Sequence, residues 1–374
     1  MADTSLLSGL DLTVWQRSFW REYVRDSGFA PYMGASPMDI IHVMNDLKTD
    51  GYTIRLPLVA RLQSSGVSGN TALSGAEEAL DQYYMDIAWE YYRNAVRLSK
   101  KERKKSAPDL LEVVRPLLKE WSSELIKYQL IGAFHQCEGV NYSAASSTNK
   151  NNWTANNQDR VLFGVTQSNY SATHATGLGT VDSTNDKLST TMASVARLMA
   201  RTARPQVRPF KTGTQGREYY VMFCHPLCFR DLKLDTAMVN ANRDARAREA
   251  NGMDSNPLFQ DGDLIYDGII FREIPEFYRA RQGTGTNSDT HIVGVGASSI
   301  DVGANFLCGA QALGMVNKQA PLPTTREDKD YNFVDGIGIE LAHGIKKVVW
   351  SNNSGGSNNN KDLGMVTVYA SAVA

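Results

Sequence analysis

A chain of 374 residues, 42% hydrophobic and 21% charged, is long enough for two or three domains with sizeable cores. Its formal net charge of −1 supplies no general field for nucleic acid or acidic lipid, and its four cysteines (Cys137, Cys224, Cys228, Cys308) are few and scattered, as in a reducing compartment. No run approaches the roughly eighteen apolar residues of a membrane span, and residues 1–10 lack a cationic start followed by an apolar block, so neither a transmembrane segment nor a secretory signal is read.

Residues 1–50 read as an extended arm with short helices. Trp15, Phe19, Trp20 and Tyr23 fall at helical spacing, and Gly28, Pro31, Gly34 and Pro37 interrupt the chain beyond them. Two alternating segments come next, around a Gly/Ser-rich tip. In residues 52–62 the apolar set is Tyr52, Ile54, Leu56, Leu58, Ala60 and Leu62, with Pro57 and Val59 breaking the polar register of Thr53, Arg55 and Arg61. In residues 83–91 it is Tyr83, Met85, Ile87, Trp89 and Tyr91, against Tyr84, Asp86 and Glu90. Period two marks strands with one buried face, and eleven extended residues reach roughly 35 Å, about twice an ordinary strand. Pro57 removes a ladder donor, which suits a two-stranded arm and argues against a central strand. Such a ribbon is marginal alone in water, so the face formed by Ile54, Leu56, Leu58, Tyr83, Met85, Ile87, Trp89 and Tyr91 is expected to lie on a neighbouring subunit.

Lys100, Lys101, Arg103, Lys104 and Lys105 then form a basic joint, broken only by Glu102, that suits phosphate and an acidic neighbouring subunit equally. It leads into the strongest helix signal. Ser106 can cap, Pro108 fits the first turn and Asp109 complements the helix dipole. Leu110, Val114, Leu117, Leu118, Trp121, Leu125 and Ile131 mark one stripe to Gln136, which predicts about 30 residues and roughly 45 Å of helix with a kink at Pro116.

Residues 139–186 are rich in Ser, Thr and Gly, with six Asn between 141 and 157, and read as a long loop or insertion. The Asn-x-Ser/Thr triplets at Asn141, Asn152 and Asn169 arise there by chance. A second amphipathic helix is read over 186–201, and a buried strand over 219–224 ends at His225-Pro226, where a helix starts and runs to Arg248. Strands are read over 264–273 and 291–295, a small-residue helix over 306–316, and strands over 336–350 and 363–369 flank an Asn/Gly/Ser loop. There is no internal repeat, and the class is mixed α+β.

Candidate chemistry is thin. Cys224 and Cys228 bracket His225 at a spacing that invites zinc, yet no second ligand pair exists, and two buried cysteines around a strand-to-helix turn account for them. Gly294-Val295-Gly296 lacks the third glycine of a dinucleotide fingerprint, where Ser299 stands, and no βαβ unit surrounds it. Asp261, Asp263 and Asp267 match no calcium frame and read as turn residues. No catalytic, cofactor or metal site is read, so the expectation is not an enzyme. An arm, a terminal extension and a long exposed loop are features of a protein that works by contact with copies of itself.

That order of elements resembles the major capsid (coat) protein of tailed double-stranded DNA bacteriophages, with the Hong Kong 97-type fold. The local wording is similar to a podovirus-like coat branch: Arg217-Glu-Tyr-Tyr-Val-Met-Phe-Cys-His-Pro, Asn256-Pro-Leu-Phe-Gln-Asp-Gly-Asp-Leu-Ile-Tyr-Asp-Gly-Ile and Cys308-Gly-Ala-Gln-Ala-Leu-Gly. The resemblance covers nearly the whole chain and implies an N-terminal arm (1–50), an extended E-loop hairpin (51–99), a peripheral domain with a long spine helix and the Asn-rich insertion (100–210), an axial domain (211–330) and a return to the peripheral domain (331–374). It further implies hexamers and pentamers of an icosahedral shell around packaged double-stranded DNA, assembled in the bacterial host cytoplasm, with a portal protein and decoration proteins as partners and neither membrane nor cofactor. An encapsulin-like compartment shell shares the fold; a cytosolic metal- or nucleotide-dependent enzyme is the reading from another class.

Two departures from the family pattern shape expectations. Arm-like aromatics begin by Trp15, leaving no room for an N-terminal scaffolding segment, so a separate scaffolding protein is expected. Some relatives join an E-loop lysine covalently to asparagine, but no lysine stands between Lys48 and Lys100. Assembled particles boiled in detergent are therefore expected to run as monomer on a denaturing gel; a ladder of multimers would overturn this.

Overall fold

The computed structural model describes residues 28–45, 53–59, 62, 64–70, 72–78, 82–99, 101, 110–212, 218–246, 263–281, 285–325, 334–350 and 360–373. The arm residues before Gly28, and the capping residues Ser106 to Asp109, lie outside them. The described chain forms two compact units, one of 28–90, 126–318 and 343–373, the other of 91–125 and 319–342. Residues 126–210 fall in the same unit as 211–318.

The larger unit is built on a mixed sheet in the order Asp263–Tyr266, Ile269–Glu273, Glu218–Cys224, Val302–Cys308, Met365–Ser371, Val161–Phe163. Ile269–Glu273 runs parallel to Glu218–Cys224, and Val161–Phe163 parallel to Met365–Ser371; Val302–Cys308 is antiparallel to both its neighbours. Every residue of Val302–Cys308 and of Met365–Ser371 is buried. Alternate positions serve two cores. Val221, Phe223, Ala304, Phe306 and Tyr369 join a cluster with Phe29, Leu130, Ile131 and Phe134. Tyr220, Met222, Leu307, Val366 and Val368 face Met192, Ala196 and Met199 of the helix Thr190–Thr202, and Phe229 and Leu232 of the helix Pro226–Leu234. A sheet apolar on both faces gives continuous hydrophobic runs without alternation.

That explains the first correction. Residues 306–316 are not a small-residue helix but the end of one strand, a turn, and the start of the strand Leu313–Thr325. The small residues reflect close packing. A Cβ on Gly303 would stand 2.7 Å from Cys228 Sγ, and one on Gly309 only 2.0 Å from the Arg208 carbonyl oxygen. The second correction concerns 139–186, which is core. It supplies the helix Ser147–Asn156, capped by the Ser146 side chain, the sheet strand Val161–Phe163 and the short helix His174–Leu178. Trp153, Phe163, Leu178 and Val181 are buried. Polar composition concealed this because a few large side chains do the burying.

Other elements match closely. The helix after His225 starts at Pro226 and breaks at Asp235 before Thr236–Arg246, and the second amphipathic helix is capped by Ser189. The strand read over 291–295 is only His291–Ile292. The long helix is Leu110–Phe134, 25 residues with Pro116 inside, about 37 Å at 1.5 Å per residue. It runs through both units. In the smaller unit its residues Val114, Leu118 and Trp121 cluster with Ile337 and Ile339, over a sheet made by Glu90–Ser99 and the distal parts of Leu313–Thr325 and Val334–Lys347.

Trp153 illustrates the density of the larger core. It is 1% exposed, its Nε1–H donates to Asp362 Oδ2 at 3.1 Å, and Lys347 Nζ lies 4.8 Å from its ring centroid while pairing with the same carboxylate. Trp153→Ala should lower subunit stability by about 3–5 kcal/mol, read as a reduced urea midpoint; an unchanged midpoint would contradict this packing.

Candidate functional site

The hairpin is the feature that the sequence singles out, and its strands are Thr53–Val59 and Gln82–Ala88. They pair antiparallel from Thr53 opposite Ala88 to Val59 opposite Gln82, with no third strand in the sheet among the described residues. Seven residues each give about 24 Å of paired ribbon. The alternating face does not continue through Tyr91. The chain leaves the ribbon at Trp89, and Glu90–Ser99 joins the sheet containing Val334–Lys347. The paired strands of the hairpin thus end at Ala88.

The apolar face divides into two parts. At the root, Met85 (5% exposed) and Ile87 (1%) are buried in a cluster with Val316 and Val348 of the same chain, and Ile54 and Leu56 pack against it beside Met44, Val349 and Leu363. Met85 and Ile87 of the expected contact face are thus already covered within their own chain. The physical reason is the same marginality that suggested a partner: the ribbon finds its support first on its own subunit. Leu58 is half-buried, Tyr83 lies opposite it in register, Trp89 is half-buried with Lys318 Nζ 5.9 Å from its ring, and Tyr91 is 54% exposed.

The outer face of the root is laced by charge. Arg55 donates to both carboxylate oxygens of Asp86, Nε at 2.8 Å and Nη2 at 3.0 Å, and its guanidinium lies 3.9 Å from the Tyr84 ring centroid. The Arg55 hydrogen bonds hold the Asp86 carboxyl below the usual range. Beyond Val59 the character changes. Val59 (56% exposed), Leu62 (63%) and Leu73 (61%) stand in solvent, and the tip is folded by short local bonds, Glu78 accepting from Ser64 N and Glu77 from Gly75 N. Of the basic joint, Lys101 is exposed; Lys100, Arg103, Lys104 and Lys105 lie outside the described residues.

Sequence reasoning missed the seat beneath the root, formed by Gly314, Val316, Gly344, Lys346 and Val348. The signal was present as glycines inside strands, which mark close backbone approach. Beside the root lies a cavity of about 200 Å³ lined by Tyr84, Asp86, Glu138, Trp153, Lys346 and Asp362, among others. Its charges are internally committed: Lys347 and Asp362, each 2% exposed at the side chain, pair at 3.0 Å. Among the described residues that line it, no nucleophile stands next to a base.

The other candidates resolve into structure. Cys224 and Cys228 are buried free thiols whose burial pushes them up, Cys228 to about 12, so neither offers a thiolate. Asp263 opens a strand, and Asp267 sits at a left-handed turn (φ 47°) before Gly268 with its carboxylate on Arg197. Gly294 follows a two-residue strand, and its N–H is bound by Asp301 Oδ1 at 2.9 Å. Among the described residues no group of three His, Cys, Asp or Glu side chains gathers as a metal site.

Buried histidines are the other unusual chemistry. His225 stacks on His291 (centroids 5.1 Å apart), and neither of its ring nitrogens has a hydrogen-bond partner among the described residues. His174 is tied to Tyr142 Oη at 3.1 Å and Thr154 Oγ1 at 2.9 Å. Burial lowers both imidazoles to about 3. The unfolded chain takes up protons below about pH 6.5 that these folded groups refuse, so their contribution is intact above pH 6.5 and falls away as pH drops towards about 3. At pH 5 each costs about 2 kcal/mol. His225→Phe should leave stability at pH 7.5 nearly unchanged and reduce the loss between pH 7.5 and 5 by about that amount; a pH dependence equal to that of the unaltered chain would refute it.

Comparison with known proteins points the same way. The phage capsid protein family matches residues 3–374. The major capsid protein of Pseudomonas phage KPP25 is 26% identical over 372 residues, covering 96% of this chain and 95% of that protein. Among solved structures, the capsid asymmetric unit of cyanophage Pam1 superposes with a TM-score of 0.85 at 33% identity, over 100% of this chain and 99% of that one. The capsid of Ralstonia phage GP4 matches at 0.69 and 19% identity, over 100% and 99%, and shares the fold. The α+β fold is Hong Kong 97-like, and the chain belongs to the phage capsid protein family.

Proposed function

We propose that this chain is the major capsid protein of a tailed phage, assembling as hexamers and pentamers into an icosahedral shell around packaged double-stranded DNA. The observation that carries the reading is the end-to-end likeness to the cyanophage Pam1 capsid subunit at 33% identity. A separate scaffolding protein would guide assembly in the host cytoplasm, a portal protein would occupy one vertex, and decoration proteins would bind the finished shell. Residues 1–50 would act as the N-terminal arm. The helix Leu110–Phe134 would serve as the spine of a peripheral domain, and 211–330 would contribute the axial domain.

Within this reading the hairpin makes the contact between subunits, through its projecting reach. Leu58, Val59, Leu62 and Leu73 are among the apolar groups that its own subunit leaves in or near solvent. Tyr91 and Trp89 flank the root as further contact groups, and the basic joint around Lys101 supplies a charged one. Head-to-tail contacts of this kind close only at the right rotation, so the arm's direction sets curvature. An uncovered ribbon edge before assembly is an aggregation hazard, which a scaffolding partner would mask.

Negative-stain microscopy of the chain expressed with the neighbouring genes of its own genome, beside the chain alone, tests the reading. Closed shells, hexamers or curved sheets are expected, and Leu73→Asp should abolish them while leaving a folded subunit. Ile87→Asp should instead unfold the subunit, because it places an unpaired charge in the seat. A monodisperse small oligomer under every condition would overturn the capsid reading, and shells that carry protein cargo and no DNA would replace it with a compartment shell.

A further inference from the structure

The root of the hairpin is held by the body of its own subunit, whereas the bonds recorded for the tip run to its own side chains. On the apolar side Met85 and Ile87 are buried against Val316 and Val348. On the backbone side, Lys346 Nζ donates to the Asp86 carbonyl oxygen at 3.2 Å. Two glycines make the fit possible. A Cβ on Gly344 would stand 2.0 Å from the Ala88 carbonyl oxygen and 2.9 Å from its carbon, so this backbone lies directly on the point where the ribbon leaves the subunit. A Cβ on Gly314 would stand 2.8 Å from Ile87 Cδ1 and 3.6 Å from Leu56 Cδ1. Across the ribbon, the Arg55–Asp86 pair ties the first strand to the second, so fixing one fixes both.

The tip offers a contrast. A Cβ at Gly66, Gly69 or Gly75 would meet nothing within 4 Å. The backbone N–H groups of Ser64, Gly66 and Gly75 donate to side chains of the tip itself, those of Glu78, Ser64 and Glu77. The boundary between the two regimes falls near Leu58 and Val59.

We propose that Gly314 and Gly344 form a seat that sets the direction of the hairpin on the free subunit, so that the arm is aimed before any neighbour is met. This rests on the capsid reading for its purpose, though not for its existence. A preset arm spares assembly the ordering cost of the root and leaves only the tip to adapt. It also makes the seat a determinant of shell curvature at residues buried within the subunit. Gly344→Ala has no room without displacing Ala88, and so must tilt or lift the ribbon. Gly314→Ala meets only the end of the Ile87 side chain and gives a smaller displacement of the same kind.

Hydrogen exchange on the unassembled full-length subunit, followed by microscopy of shells from the same variants, tests this. In the unaltered subunit, amides of 54–58 and 83–87 should exchange about a hundred-fold more slowly than those of 64–78. Gly344→Ala should erase most of that protection and give no closed shells or shells of altered diameter, with Gly314→Ala intermediate in both readouts. If Gly344→Ala does not fold, Gly314→Ala carries the same comparison. Root amides that exchange as fast as the tip in the unaltered subunit would overturn the proposal even if shells form. So would shells of unaltered diameter from a variant that has lost root protection. Root protection in a chain that forms no shell under any condition would uphold the seat and sink the capsid reading instead.

Discussion

A two-stranded ribbon buries too little surface to hold itself in water, and that constraint organises much of what this subunit does with its chain. The hairpin has no third strand among the described residues, so its apolar face must be covered by something else. The subunit covers the near half itself, with Val316 and Val348 from the strand Leu313–Thr325 and from the residue after Val334–Lys347. Beyond the supported half, Leu62 and Leu73 stand exposed. A cantilever needs a fixed end, and this one is fixed by burial, by one lysine on a carbonyl and by two missing side chains.

The seat in turn depends on the main core. Val316 comes after Met315 and Leu313, which are buried in the large cluster on one face of the mixed sheet, and Val348 N donates to the Ala312 carbonyl oxygen. Asp362 pairs with Lys347 one residue before Val348, and also accepts from Trp153. The ribbon's support is therefore part of the same packed body as Trp153 and Tyr369, not a separate patch. A perturbation at the root has a rigid object to push against, because close-packed interiors transmit displacement rather than absorb it.

The sequence made the hairpin legible because one face is apolar and the other is not, and period two survives in the residues themselves. It made Glu218–Cys224 and the Pro226 helix start legible through a short apolar run ending at proline. It failed at 306–316, where both faces of a strand are buried and Gly309 answers to the backbone of Arg208 lying against it, a tertiary fact with no local trace. It failed again at 139–186, where Asn and Ser dominate by count while Trp153, Phe163 and Leu178 decide the burial. The length of the paired ribbon differs from the alternating run for a related reason. Alternation continues from Ala88 to Tyr91 in the letters, but the chain changes sheets at Trp89, and a change of sheet leaves the period intact.

The division of the hairpin face explains why its residues cannot be treated as one kind of contact. Ile87 and Leu73 are both apolar and both in the hairpin segment, yet one completes the subunit and the other leaves it incomplete. Burial inside the subunit is present at any concentration, whereas any cover that a partner gave Leu73 would follow mass action. A subunit built this way can fold before it meets a partner, and under the capsid reading would carry the geometry of the shell in the direction of its arm. Strengthening the root would sharpen that direction at no cost in solubility, while enlarging the exposed apolar reach would gain affinity and aggregation together. Within the proposed shell the seat and the tip would be separate levers on one process, the first acting on where the next subunit is placed and the second on how tightly it is held.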